Sequence, residues 1–268
     1  MNEVKKEQGF LDHLEELRWC IIRSAIAILV FSGLAFALKS FIFDRIILAP
    51  KSPDFITNKL LCYLSEAFNT PILCINQNSF LIKSIYMSGQ FMAHIKISLV
   101  AGIIMAFPYV VYEIWKFIKP ALYPHEVKAI RGVVFYTSLL FVIGILFGYY
   151  IITPMSINFL GSYKVSESVP NEINLMSYVS TLTSVTLATG IVFELPIFIM
   201  FLSKINLITP KFLRKYRRHA IILILIFAAI ITPPDIFSQI LVSIPMILLY
   251  EISIIISKKI HKKNKLAG

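Results

Sequence analysis

Charge is what this sequence has least of. Only 15% of its 268 residues are Asp, Glu, Lys or Arg, where a soluble domain carries nearer a quarter. Together with 57% hydrophobic residues, that scarcity excludes an ordinary soluble globular chain. The apolar residues come in blocks of about 20, the length that crosses a bilayer. They do not alternate with polar residues, which excludes a transmembrane β-barrel. Motifs for chemistry are also missing. There is no Gly-rich phosphate loop, no H-E-x-x-H and no G-x-S-x-G. His13, His94, His125, His219 and His261 are dispersed without ligand spacing, and no nucleophile lies beside a base. We therefore expect no catalytic residue, no metal, no cofactor and no enzymatic activity. Cysteine is scarce too: there are three and no C-x-x-C pair. Cys20 starts the first apolar block, while Cys62 and Cys74 lie beyond it. Those two could close a disulfide in an oxidising compartment or remain two thiols.

What is present is a series of six apolar blocks, at about 20–39, 91–114, 132–153, 176–202, 219–233 and 236–257. They predict an all-α polytopic membrane protein, a single domain over 1–268 with six transmembrane helices, the last two short. Between Arg218 and Pro233, about 15 residues make about 22 Å of helix against a hydrocarbon core of about 30 Å. Such a helix must thin the bilayer or lean on taller neighbours. Most of the 26 basic residues fall on one side. They lie in an amphipathic segment at 1–19 and just beyond it, in a first loop at 107–131, in a second at 203–218 and in a tail at 258–268. The other side holds a long loop at 40–90 with fewer. The positive-inside rule then puts both termini in the cytoplasm. The net charge of +11 is an orientation signal, and its scatter over four short segments argues against nucleic acid as a partner. The first eighteen residues are charged and amphipathic, and the first block is too long for a signal-peptide core, so no cleavable leader is expected.

Four stretches carry more than span length. FLDHLEELRWCIIRS interleaves leucines with acids and bases, which predicts a helix lying in the interface before the chain turns into the membrane. Phe107–Glu126 is rich in proline, aromatics and lysine with two acids, Glu113 and Glu126. Pro108 is expected to kink the second span at its cytoplasmic end, and the stretch to form a shaped interfacial surface, or simply an aromatic anchor. Gly144 and Gly148 form a small-xxx-small pair suited to close helix packing. In the fourth span Thr183, Thr186, Gly190 and Glu194 share one face of a helix. An ionisable group at that depth costs on the order of 3 kcal/mol and faces a cavity or a partner. Last, Asp235 stands at the outer turn as an N-cap, with Gln239 four residues on.

Taken in order, these pieces resemble one family, the TatC subunit of the twin-arginine translocase. The resemblance is carried by His13-Leu14-Glu15-Glu16-Leu17-Arg18, Ala49-Pro50, Phe107-Pro108 through Phe117, Lys119-Pro120-Ala121-Leu122-Tyr123 with Glu126, Phe193-Glu194-Leu195-Pro196, Thr232-Pro233-Pro234-Asp235-Ile236-Phe237-Ser238-Gln239, Ile244-Pro245 and Glu251. It implies a signal-peptide receptor and core subunit in the bacterial cytoplasmic membrane, exporting folded proteins with the proton-motive force. It also implies single-span TatA- or TatB-type partners and more than one copy in the complex. By the same resemblance, Glu16 and Glu126 would receive the two signal-peptide arginines, with Arg18, Phe117 and Pro108 shaping that surface. Pro50, Asp235 and Gln239 would occupy the matching outer positions, and Glu194 a membrane pocket that meets the single-span partner. The extended outer loop with Cys62 and Cys74 departs from the family pattern. Two rival readings remain. A secondary transporter or channel using Glu194 predicts two repeated halves, which 1–134 and 135–268 do not show. An insertase-like scaffold predicts that Glu16 and Glu126 are dispensable.

Overall fold

The computed structural model of the chain describes residues 10–68, 74–75, 81–118, 130–166, 168, 171–232 and 236–267. Five helical stretches among them are long and apolar enough to cross a membrane: His13–Ala37, Gly89–Ile118, Gly132–Ser162, Leu175–Lys204 and Ser238–Lys262. The fifth predicted span appears as a helix of 15 residues, Arg217–Ile231, short as its sequence requires. The protein is a polytopic helical membrane protein, and its chain divides into two compact units.

The first unit comprises Met1–Ala37 and Ser98–Ser138. Helix α1 runs unbroken over Phe10–Ala37, about 42 Å. The expected bend between an interfacial helix and the first span is not there. Leu, Glu, Arg and Ile are good helix formers, and neither Gly nor Pro interrupts them before Gly33. Within this unit α1 meets the second half of α3, a helix that spans Gly89–Ile118 (α2 belongs to the other unit). At Gly102 the two backbones nearly touch, since an added Cβ would lie 2.7 Å from the backbone nitrogen of Ser32. Ala35 and Ala106 are fully buried, as close helix packing in a membrane demands. Away from this seam Ile26, Leu29 and Val30 stay exposed, the surface that lipid would cover. Helix α3 runs through Pro108 to Ile118, a little beyond the span expected to end at 114, so the first part of the loop expected at 107–131 is helix. One hydrogen bond is lost at the proline, while Val111 and Trp115, four residues apart beyond it, are buried and hold the turn in place.

The second unit comprises Leu38–Ile97 and Leu139–Gly268. Much of the 40–90 segment is ordered structure. A π-helical turn, Phe41–Ile47, and a 3₁₀ turn, Ala49–Lys51, lead into α2, Ile56–Ala67. The backbone of this cap is tied down by side chains. Buried Asn58 donates to the carbonyls of Pro50 at 3.2 Å and Ser52 at 2.8 Å, and the Tyr178 hydroxyl donates to the Ile47 carbonyl at 2.7 Å. Cys62 and Cys74 form a disulfide, which settles the choice the sequence left open. Strands β1, Ile82–Lys83, and β2, Ile173–Asn174, pair in parallel, and Lys83 forms an ion pair with Glu172.

Helix α4, Ile130–Phe147, passes through a π-turn at Gly148–Ile152 into α5, Thr153–Ser162. Helix α6, Leu175–Val192, is capped by Asn174, whose side chain accepts from the Met176 amide at 2.8 Å. The expected single fourth span is broken. It resumes as α7, Leu195–Lys204, because Pro196 can neither donate to Val192 nor sit beside its carbonyl. Asn206, at φ 58°, takes the left-handed turn after α7, which asparagine tolerates better than most residues. Helices α8, Pro210–Lys215, α9, Arg217–Ile231, and α10, Ile236–Ala267, complete the unit. At 32 residues, α10 is not short. Its lysine-rich tail continues the helix past the apolar stretch, since lysine is a good helix former and can stay solvated. Val185, Ile199, Ile224, Ala228, Val242 and Met246 share one buried cluster. Ile47, Ala93, Ile97, Tyr178, Val179 and Leu182 share another.

Candidate functional site

The site is built by two helical stripes in the first unit. On α1, Glu16, Trp19, Cys20 and Arg23 recur at intervals of three and four residues, and on α3 Glu113, Lys116 and Phe117 do the same. Residues at such spacing share a helix face. These seven line a cleft of about 170 Å³. His13 stacks on Phe117, with ring centroids 4.4 Å apart and planes 16° apart. Glu16 is half-buried, and the Cys20 thiol is buried and free. Glu113 is only 5% exposed. Its carboxylate pairs with Arg23 at 3.3 Å.

Of the residues singled out from sequence, this cleft brings Glu16 and Phe117 together. Arg18 is exposed on α1 and Pro108 exposed on α3, and neither lines it. Glu126 lies outside the described residues, as does Asp235. Glu113, Arg23, Trp19, Lys116 and His13 were not singled out as site residues. The signal for Glu113 was present in the Glu113–Phe117 spacing of four, but it is legible only if the helix is carried past Pro108.

The remaining candidates belong to the second unit. Glu194 sits in the break between α6 and α7, half-buried, with Oε1 buried and unpartnered among the described residues. The polar stripe leading to it is a packing face. The Thr183 hydroxyl donates back to the Val179 carbonyl at 2.7 Å. An added Cβ on Gly144 would lie 2.8 Å from the Thr189 carbonyl oxygen, Gly148 touches Thr189, and Gly190 meets Phe141 and Ile145. Gln239 donates to the Leu225 carbonyl at 3.2 Å, and Pro50 is buried where its carbonyl accepts from Asn58. Two larger cavities of this unit, about 350 and 560 Å³, are lined by none of the residues singled out from sequence.

Chemically, the cleft offers two carboxylates and flat rings at one end of membrane-crossing helices. That combination suits a planar cation, which carboxylates grip by paired charge-assisted hydrogen bonds and aromatic faces by stacking.

Comparison with known proteins agrees in length and fold. Residues 12–245 match the family model described as Sec-independent protein translocase protein (TatC). A Sec-independent protein translocase protein TatC from Blattabacterium sp. subsp. Periplaneta americana (strain BPLAN) is 40% identical, over 98% of this chain and 100% of the relative. The protein of that name from Aquifex aeolicus (strain VF5) is 35% identical, over 95% of this chain and 96% of its own. A crystal structure of the twin-arginine translocase receptor TatC superposes with a TM-score of 0.70 at 33% identity, covering 93% of this chain and 99% of the other. The chain belongs to the TatC family of Sec-independent protein translocase proteins.

Proposed function

We propose that this chain is the signal-peptide receptor and core subunit of a twin-arginine translocase, carrying folded proteins across the bacterial cytoplasmic membrane at the expense of the proton-motive force. The observation that carries the reading is the cleft of α1 and α3, where Glu16 and Phe117 line one wall each and His13 stacks on the phenylalanine. A guanidinium entering it meets a carboxylate and aromatic faces at the end of a membrane span. The apolar part of the signal peptide then continues along lipid-facing helix.

In this reading the chain makes six crossings with both termini in the cytoplasm, and Glu126 joins Glu16 as an acceptor. Arg18 and Pro108, which do not line the cleft, shape the surface around it. Glu194, with its unpartnered carboxyl oxygen, meets a single-span TatA- or TatB-type subunit in the membrane, while Pro50, Asp235 and Gln239 serve outer contacts. Several copies assemble in lipid, and the protein transports rather than catalyses. The transporter reading also draws on Glu194, but the threonine and glycine face below it is taken up by packing against α4.

Photocrosslinking tests the proposal. A probe at Phe117 or Glu126 is challenged with a radiolabelled precursor carrying Arg-Arg or Lys-Lys. Strong crosslinks to the Arg-Arg form that fall for Lys-Lys are expected. Equal or absent crosslinks would return attention to Glu194 and solute transport.

A further inference from the structure

Glu113, paired with Arg23, is a buried carboxylate of the cleft that the reading above leaves unused. We propose that Glu113 is a further specificity-determining carboxylate of the site and that Arg23 is its resident counter-ion, which a signal-peptide guanidinium displaces. The proposal rests on the receptor reading and deepens it.

A carboxylate 5% exposed is held there only if it is paired and hydrogen-bonded. Among the described residues Glu113 is met by a single Arg23 nitrogen at 3.3 Å. Tight guanidinium–carboxylate pairs are shorter, about 2.7–2.9 Å, and often bidentate. The contact is therefore a loose one. Arg23 reaches in with a side chain 46% exposed, so returning it to water costs little. The cleft opens on both partners, with Glu16 two turns away on α1 and Lys116 beside Glu113 on α3. An incoming arginine can replace one long contact by two short ones. An incoming lysine cannot, because its compact ammonium lacks the fork. Arg23 thus sets a threshold that only a second guanidinium passes, and Lys116 adds repulsion against any weaker cation. Selection by competition with a resident group is a form of designed exclusion.

Equilibrium binding to the full chain in lipid nanodiscs decides it. The probes are a fluorescent twin-arginine signal peptide and its Lys-Lys counterpart. Glu113→Gln should weaken the Arg-Arg peptide about tenfold while hardly moving the Lys-Lys peptide. Arg23→Gln should tighten both, the Lys-Lys peptide more, so that discrimination falls. Arg23→Lys keeps the charge between the helices and should lie in between, which covers the case in which Arg23→Gln does not fold. Suppose the unmodified chain discriminates and the folded variants leave that ratio within about twofold. The pair is then only a strut between α1 and α3, and the proposal fails while the receptor reading stands. A uniform loss of both peptides with a lowered melting temperature overturns it in the same way. Should the unmodified chain show no preference, the receptor reading falls first.

Discussion

Glu16 forms no ion pair or hydrogen bond among the described residues and sits half-buried at the cleft wall, so its removal should cost function and not folding. We expect Glu16→Ala to lower binding of a twin-arginine precursor by about tenfold or more, the scale of a lost charge-assisted pair. Its thermal unfolding in detergent should stay within about 0.5 kcal/mol, as for a surface change. Full-rate export by a Glu16→Ala, Glu126→Ala double variant would remove the receptor assignment. Glu194 should behave in the opposite way. Its unpartnered oxygen lies in the other unit, and Glu194→Ala is expected to spare precursor binding while reducing co-purification of single-span subunits. Asn58 carries structure alone. Buried at 1% exposure, it satisfies two carbonyls, and Asn58→Ala should cost about 1–3 kcal/mol.

Among the elements, the crossing of α4 on α6 is sensitive to side-chain size. At Gly144 a methyl group would press on the Thr189 carbonyl and on Gly190, and backbone cannot step aside as a flexible side chain can. Gly144→Ala is expected to destabilise the second unit by about 1–3 kcal/mol, the usual cost of overpacking, read as a lower detergent melting temperature. Gly33 and Gly132 meet nothing within 4 Å of an added Cβ and serve as controls that should hardly respond. Proline shows how little a single residue decides about an element. Pro108 and Pro245 stay inside helices, whereas Pro196 ends one. At Pro196 the chain has an alternative, since the Phe193 and Glu194 amides turn back to Thr189 and Ile191, both at 3.0 Å.

At the scale of the whole molecule, the distribution of charge predicts the orientation, and one covalent link, Cys62–Cys74, braces the 40–90 segment. A cysteine placed at Lys259 should react with a membrane-impermeant maleimide only in inverted vesicles, and one at Lys59 only in intact cells. The reverse pattern would overturn the assignment of both termini to the cytoplasm. The Cys62–Cys74 bridge, with a sequence separation of 12, constrains the unfolded chain by about 3 kcal/mol on an entropic account. A Cys62→Ser, Cys74→Ser variant should melt earlier, provided the outer segment unfolds with the rest.

The sequence by itself determined the class and the family, because bilayer thickness and hydropathy act on each segment separately. The short fifth helix followed from a count of residues between Arg218 and Pro233. Gly144 and Gly148 announced a close approach, though not that its partners were Thr186, Thr189 and Gly190. Pairing across the chain was beyond it. Arg23 and Glu113 stand 90 residues apart, each unremarkable in its own stretch. They meet only because α1 packs on an α3 that persists past Pro108. That persistence is a tertiary matter: burial of Val111 and Trp115 outweighs one missing hydrogen bond. The disulfide and the second carboxylate of the cleft were decided in the same way, by which segments came to lie against one another.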